Sequence, residues 1–194
     1  MKQYSIILIA LMAISCGAEE QKALQDTSSL DTAVKTIHPE IFNRTFKTAL
    51  NAYYNLKDYF IAENDTAVDA SSQRLILAIH QIQLDSLGGD SSVVITAKSY
   101  AEGITAELKG LIGEKGLDAK RKSFQMVSEQ LYDFIRTVQY DQEVVYHEFC
   151  PMAFDNEGAT WLSNSSVIRN PYLPKKMLSC GEVRDSIDLR AIKQ

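Results

Sequence analysis

Between residues 39 and 140 the apolar side chains recur in steps of three and four, the spacing that lines one face of an α-helix. Phe42, Phe46, Leu50, Tyr53, Leu56 and Phe60 form a first stripe, with Pro39 and Glu40 suited to its first turn. Val68, Leu75, Ile79 and Ile82 form a second, after Asn64-Asp65-Thr66, whose side chains can cap free N–H groups, and before Gly88-Gly89, which are expected to stop it. A third stripe (Val94, Ala97, Ala101, Ile104, Leu108, Leu111) starts near Asp90-Ser91 and ends around Gly113 and Gly116; its small residues and Gly103 permit close helix contact. The fourth (Phe124, Val127, Leu131, Phe134, Val138) spans about Leu117 to Val138.

Four such segments with connections of two to five residues predict antiparallel neighbours, hence an up-down-up-down four-helix bundle in a mainly α protein. Each buried Leu, Ile or Phe contributes roughly 1.5 to 3 kcal/mol before entropy is subtracted, so the bundle stands without metal or disulfide. Lys120, Arg121 and Lys122 lie near the start of the fourth helix, where the helix dipole disfavours cations, so acidic neighbours are expected to answer them. His80 is one position off its apolar stripe, and no Glu-x-x-His pair accompanies it or Met126. Both therefore read as ordinary surface or hydrogen-bonded residues, as does His38 beside Pro39.

After Tyr140 the period changes from helical to alternating. Residues 143–149 place Val145, His147 and Phe149 on one face of a strand and Val144, Tyr146 and Glu148 on the other, and residues 181–187 can form a second strand. Paired antiparallel, the two bring Cys150 close to Cys180. The intervening residues 151–179 make a long excursion in a small C-terminal β-hairpin and loop module, with Trp161 and Leu162 expected to seal it against the bundle. Sulfur brackets the excursion: Cys150-Pro151-Met152 opens it, Met177-Leu178-Ser179-Cys180 closes it, and His147 stands three residues upstream. Thiolate, thioether and imidazole donors suit Cu(I), with silver or zinc as substitutes, so His147, Cys150, Met152, Met177 and Cys180 form a candidate metal set. The alternative is a Cys150–Cys180 disulfide, which an oxidising compartment would allow.

The compartment is read from the N-terminus. Met1-Lys2, an apolar run from Ile6 to Ile14 and Ser15 before Cys16 have the layout of a secretory signal, and the run is too short to span a bilayer. Ala13-Ile14-Ser15-Cys16 looks like a bacterial lipobox, which makes 1–15 a signal peptide and Cys16 a lipidated anchor. Acyl chains there would hold the protein at a membrane surface. The expected organisation is then a polar tether to residue 38, a bundle over 39–140, the sulfur module over 141–187 and a tail over 188–194. Gly17-Ala18-Glu19-Glu20 after the anchor resembles the acidic signals that send some Bacteroidetes lipoproteins to the cell exterior, and the expected location is the outer membrane, on its periplasmic face or at the cell surface. In a chain of 194 residues, a formal charge of −5 excludes a general nucleic-acid binder, and 45% hydrophobic with 23% charged residues excludes disorder. No metalloprotease, nucleophile-elbow, phosphate-loop or haem-attachment motif is present, and Cys150 with His147 lacks an orienting partner, so the chain reads as no enzyme.

Four blocks carry a resemblance: Cys150-Pro-Met-Ala-Phe154, Gly158-Ala-Thr-Trp-Leu-Ser163, Ile168-Arg-Asn-Pro-Tyr172 and Met177-Leu-Ser-Cys-Gly181. Together with Tyr54-Asn-Leu-Lys-Asp58 and Arg121-Lys-Ser-Phe124, they resemble a family of uncharacterised Bacteroidetes domains found in lipoproteins and fused to periplasmic adaptor subunits of heavy-metal efflux pumps. The resemblance implies handling of copper, silver or related ions, and an efflux adaptor or another envelope protein as partner. Leu173-Pro174 departs from the aromatic-Gly pair expected after Pro-Tyr, while every sulfur is in place.

Overall fold

The computed structural model describes residues 37–190; the expected signal peptide, Cys16 and nearly all of the tether lie outside the described residues. Four long helices follow the predicted stripes: α1 (Glu40–Ile61), α2 (Asp65–His80), α3 (Ser91–Gly113) and α4 (Leu117–Val138). The Asn64 side chain accepts the Ala67 N–H at 3.0 Å to start α2, and Asp90 accepts the Ser92 N–H at 2.8 Å to start α3. Every residue of the α1 stripe is fully buried, as are Ile104, Leu108 and Leu111 of α3 and Phe124, Val127 and Phe134 of α4.

One boundary differs from the periodicity. Helix α2 ends at His80, well before Gly88-Gly89, because its last turn tightens into bonds such as Ile82 N–H to the Ile79 carbonyl and passes into a 3-10 turn at Leu84–Ser86. Ile82 remains buried, but the α2–α3 connection runs over residues 81–90, longer than the expected two to five.

Consecutive helices pack as neighbours, and α3 lies close along α4, where Ala97 is fully buried. The seam between α1 and α4 is spanned by large rings instead: Phe46 on Phe134 (5.2 Å between centroids), Tyr53 stacked on Phe124 (5.4 Å) and Phe60 on Phe124 (4.8 Å). The basic start of α4 finds its acids. Lys120 reaches Asp65 and Asp69 of α2, each at 2.6 Å. Arg121 donates to Asp118 (2.9 Å), Glu63 (3.4 Å) and the Pro171 carbonyl (2.9 Å), tying α4 to the end of α1 and to the C-terminal module.

That module is a three-stranded antiparallel sheet rather than a hairpin. Strands β1 (Val145–Cys150) and β3 (Glu182–Ile187) pair as predicted, and β2 (Ala159–Ser163), inside what the sequence left as a long excursion, pairs on the other side of β1 in the order β2-β1-β3. Against β3 the register steps between His147 and Glu148, so Arg184 is an extra residue of β3 and its guanidinium lies over the Phe149 ring. All five β2 residues are buried, Trp161 and Leu162 completely. The strand runs along α4, and its Leu162 N–H donates to the Tyr53 hydroxyl of α1 (3.0 Å). Tyr53 donates in turn to Ser128 Oγ (2.7 Å) and Ser128 to the Phe124 carbonyl (2.8 Å), a relay that closes the strand's free edge onto α1 and α4.

Candidate functional site

The sheet places the two module cysteines side by side. Cys150 ends β1 opposite Ala159, and Cys180 immediately precedes Gly181 and β3. Their sulfurs are 3.3 Å apart and unbonded; Cys150 is fully buried and Cys180 partly exposed. The hydrogen bond to Cys150, helped by burial, raises the pKa of the Cys180 thiol.

Three features of the chain produce this approach. Gly181 runs at φ +143, and a Cβ there would meet the Phe149 carbonyl oxygen at 2.8 Å and the Trp161 ring at 3.0 Å, so only glycine lets the loop pass. Gly158, at φ +84, is similarly pressed by the Phe149 ring, with 2.6 Å left for a Cβ. Asn170, fully buried, donates to the Cys180 carbonyl (3.1 Å) while its Oδ1 accepts the N–H groups of Tyr172 (2.8 Å) and Leu173 (3.2 Å). Its own N–H reaches the Leu178 carbonyl at 2.8 Å. In the turn at 169–172 the asparagine holds the loop, and Arg121 of α4 holds the Pro171 carbonyl.

The opening residues after Cys150 take an uncommon path. Phe154, Asp155 and Asn156 have φ of 51, 56 and 75, a single left-handed turn that costs roughly 1 to 2 kcal/mol per residue. It is held by packing of the Phe154 ring edge-on against Tyr172, at 5.3 Å between centroids. Met152 at its start and Met177 before Cys180 are both partly exposed, and the Cys180 N–H closes a turn onto the Met177 carbonyl at 3.1 Å. Both thioethers thus stand on the segments that carry the cysteines.

His147 is placed differently. Three strand residues put its Cα about 10 Å from that of Cys150. Its ring stacks on Tyr132 of α4 at 4.2 Å, and the Tyr132 hydroxyl donates to Asp185 at 2.6 Å. Burial lowers the His147 pKa, with Asp185 pulling the other way. Among the described residues no group of three or more His, Cys, Asp or Glu side chains gathers to hold a metal ion. His80 and Met126 lie on the surface, and the His38 ring bonds the Gln139 carbonyl at 3.1 Å. Cys16 lies outside the described residues.

One charged residue beside the thiols escaped the sequence reading. Glu148 faces Trp161 across β1 and β2 and is completely buried. Burial pushes its pKa up to about 7, opposed by the charge of Lys57, itself buried on α1. Alternation assigned Glu148 to a strand face, but only the packing of that face against the bundle, where Lys57 of α1 stands, makes it interior.

Comparison with known proteins gives one match. The family described as Protein of unknown function (DUF3347) matches residues 49–143, from the middle of α1 to the loop after α4. The match stops before β1, so both module cysteines lie beyond it. No curated protein and no solved structure matches the chain. Residues 49–143 are therefore similar to an uncharacterised domain family, built here as four helices that carry a sulfur-bearing sheet.

Proposed function

We propose that this is a lipid-anchored protein of the bacterial outer membrane whose Cys150–Cys180 dithiol takes up a soft heavy-metal ion, Cu(I) in first place, as an accessory or buffer in metal handling. The observation that carries the reading is the 3.3 Å approach of two thiols with no other bonding partner, on segments that also carry Met152 and Met177. Two thiolates with thioethers beside them match the preference of Cu(I) and Ag(I) for sulfur. The working ligand set is Cys150 and Cys180 with Met152 and Met177, and His147 is left to its contact with Tyr132. Tetrahedral coordination at metal–sulfur bonds of about 2.3 Å separates two sulfurs by roughly 3.8 Å, so the pair must part slightly to admit an ion. Cys180, on a loop and partly exposed, is the residue that moves. Lipid on Cys16 supplies the membrane attachment, and an efflux adaptor or another envelope protein is the expected partner.

The same distance favours a second reading. Sulfurs in contact at 3.3 Å can also close to the about 2.05 Å of a disulfide, and in an oxidising envelope the staple would make this a metal-free interaction module. Anaerobic protein titrated with Cu(I) against a weak competing chelator separates the two. The metal reading expects about one Cu(I) retained per chain and none by the Cys150→Ser/Cys180→Ser variant; failure of the reduced wild type to retain copper overturns it.

A further inference from the structure

The two thiols differ in a way that a passive staple does not need. Cys150 is fully buried at the end of β1, whereas Cys180 is partly exposed on the loop before β3, and the sulfurs already touch. An attacking or attacked sulfur must be reached from outside, and a resolving sulfur must reach its partner without crossing solvent. The pair satisfies both conditions, one cysteine each.

We propose that Cys150 and Cys180 form a reversible redox pair that exchanges with an external disulfide, with Cys180 as the entry thiol and Cys150 as the resolving thiol. The oxidant is a low-molecular-weight or protein disulfide. Cys180 loses its proton, and its thiolate attacks one sulfur of that disulfide, forming a mixed disulfide and expelling one thiolate, which takes up a proton. Cys150 then loses its proton and attacks Cys180 Sγ, 3.3 Å away, expelling the second external thiolate, which is protonated in turn. The net change is oxidation of two protein thiols to one internal disulfide and reduction of one external disulfide to two thiols; a reduced dithiol drives the reverse through attack on Cys180.

This inference stands on the thiol geometry and does not need the metal reading, because the test uses metal-free protein. The full chain carrying Cys16→Ser is reduced, mixed with oxidised glutathione and quenched with acid at intervals for peptide mapping by mass spectrometry. In the chain with both module cysteines, a transient glutathione adduct on Cys180 is expected, followed by an internal disulfide with no adduct retained. Adding Cys150→Ser should leave a stable adduct on Cys180, while adding Cys180→Ser should slow modification of the folded protein at least about tenfold, with denaturant restoring the reaction. A first adduct on Cys150, equal rates for the two single-thiol chains, or a persistent adduct when both cysteines are present overturns the proposal. Because the first arm reads the order of attack with both module cysteines present, a variant that folds poorly does not decide the outcome.

Discussion

At Gly181 a single hydrogen in place of a side chain lets the loop bring Cys180 against β1. Gly181→Ala would drive a methyl to 2.8 Å from the Phe149 carbonyl oxygen at a φ unfavourable to L residues. A loss of about 2 kcal/mol or more in chemical denaturation is expected, together with faster alkylation of Cys180 as the loop loosens. Asn170→Ala removes the three hydrogen bonds made by its side chain from a buried site, and should cost about 2 to 3 kcal/mol in the same measurement. Glu148 gives a pH signature. Its folded pKa of about 7 lies above the ordinary carboxylate value, so its stabilising effect is complete below the unfolded pKa near 4.5 and is lost as pH rises through about 7. Glu148→Gln should remove that decline, stabilising the protein on the order of 1 kcal/mol at pH 8 and little at pH 5. Denaturation curves at the two pH values check it, and equal effects at both would contradict it.

At the scale of elements, the interest lies where sheet and bundle meet. The free edge of β2 is closed by one tyrosine that bridges α1, α4 and the strand. Tyr53→Phe keeps the ring stacking on Phe124 but leaves the Leu162 N–H without its acceptor and the Ser128 hydroxyl with its bond to the Phe124 carbonyl alone, so a loss of about 1 to 2 kcal/mol is expected, with faster amide exchange at Leu162. The helices were legible in the sequence because each buries one stripe, and a stripe leaves a period. Strand β2 was not, because Ala159-Thr-Trp-Leu-Ser163 is covered on both faces and has no polar alternation to mark it. The early end of α2 at His80 was equally hidden, since Ile82 keeps the helical spacing while the chain has already tightened into a 3-10 turn. The Cys150–Cys180 approach could be read from two candidate strands that, once paired antiparallel, set the end of one beside the start of the other. The separation of His147 from that pair could not, because its position depends on Tyr132, which the helical stripe places beside the core rather than in it.

Over the whole molecule, four helices give a stable platform and the sheet carries the sulfur pair at the end of its central strand. The bundle core is apolar and needs no cross-link, so closing Cys150 to Cys180 should act mainly on the module. Loop entropy for a closure of about 30 residues predicts roughly 3 to 4 kcal/mol, and calorimetry of oxidised against reduced protein should find the oxidised form melting higher. Copper should oppose that closure, since an ion held by both thiols keeps them reduced and unavailable to each other. The central claim, a sulfur site for Cu(I) at this pair, is tested most directly by X-ray absorption at the copper edge on the anaerobic, copper-loaded full chain. The account predicts about one copper per protein with a shell of sulfur neighbours only, lost when Cys150 and Cys180 are replaced by serine; a shell containing imidazole nitrogen, or copper bound equally by that variant, would contradict it.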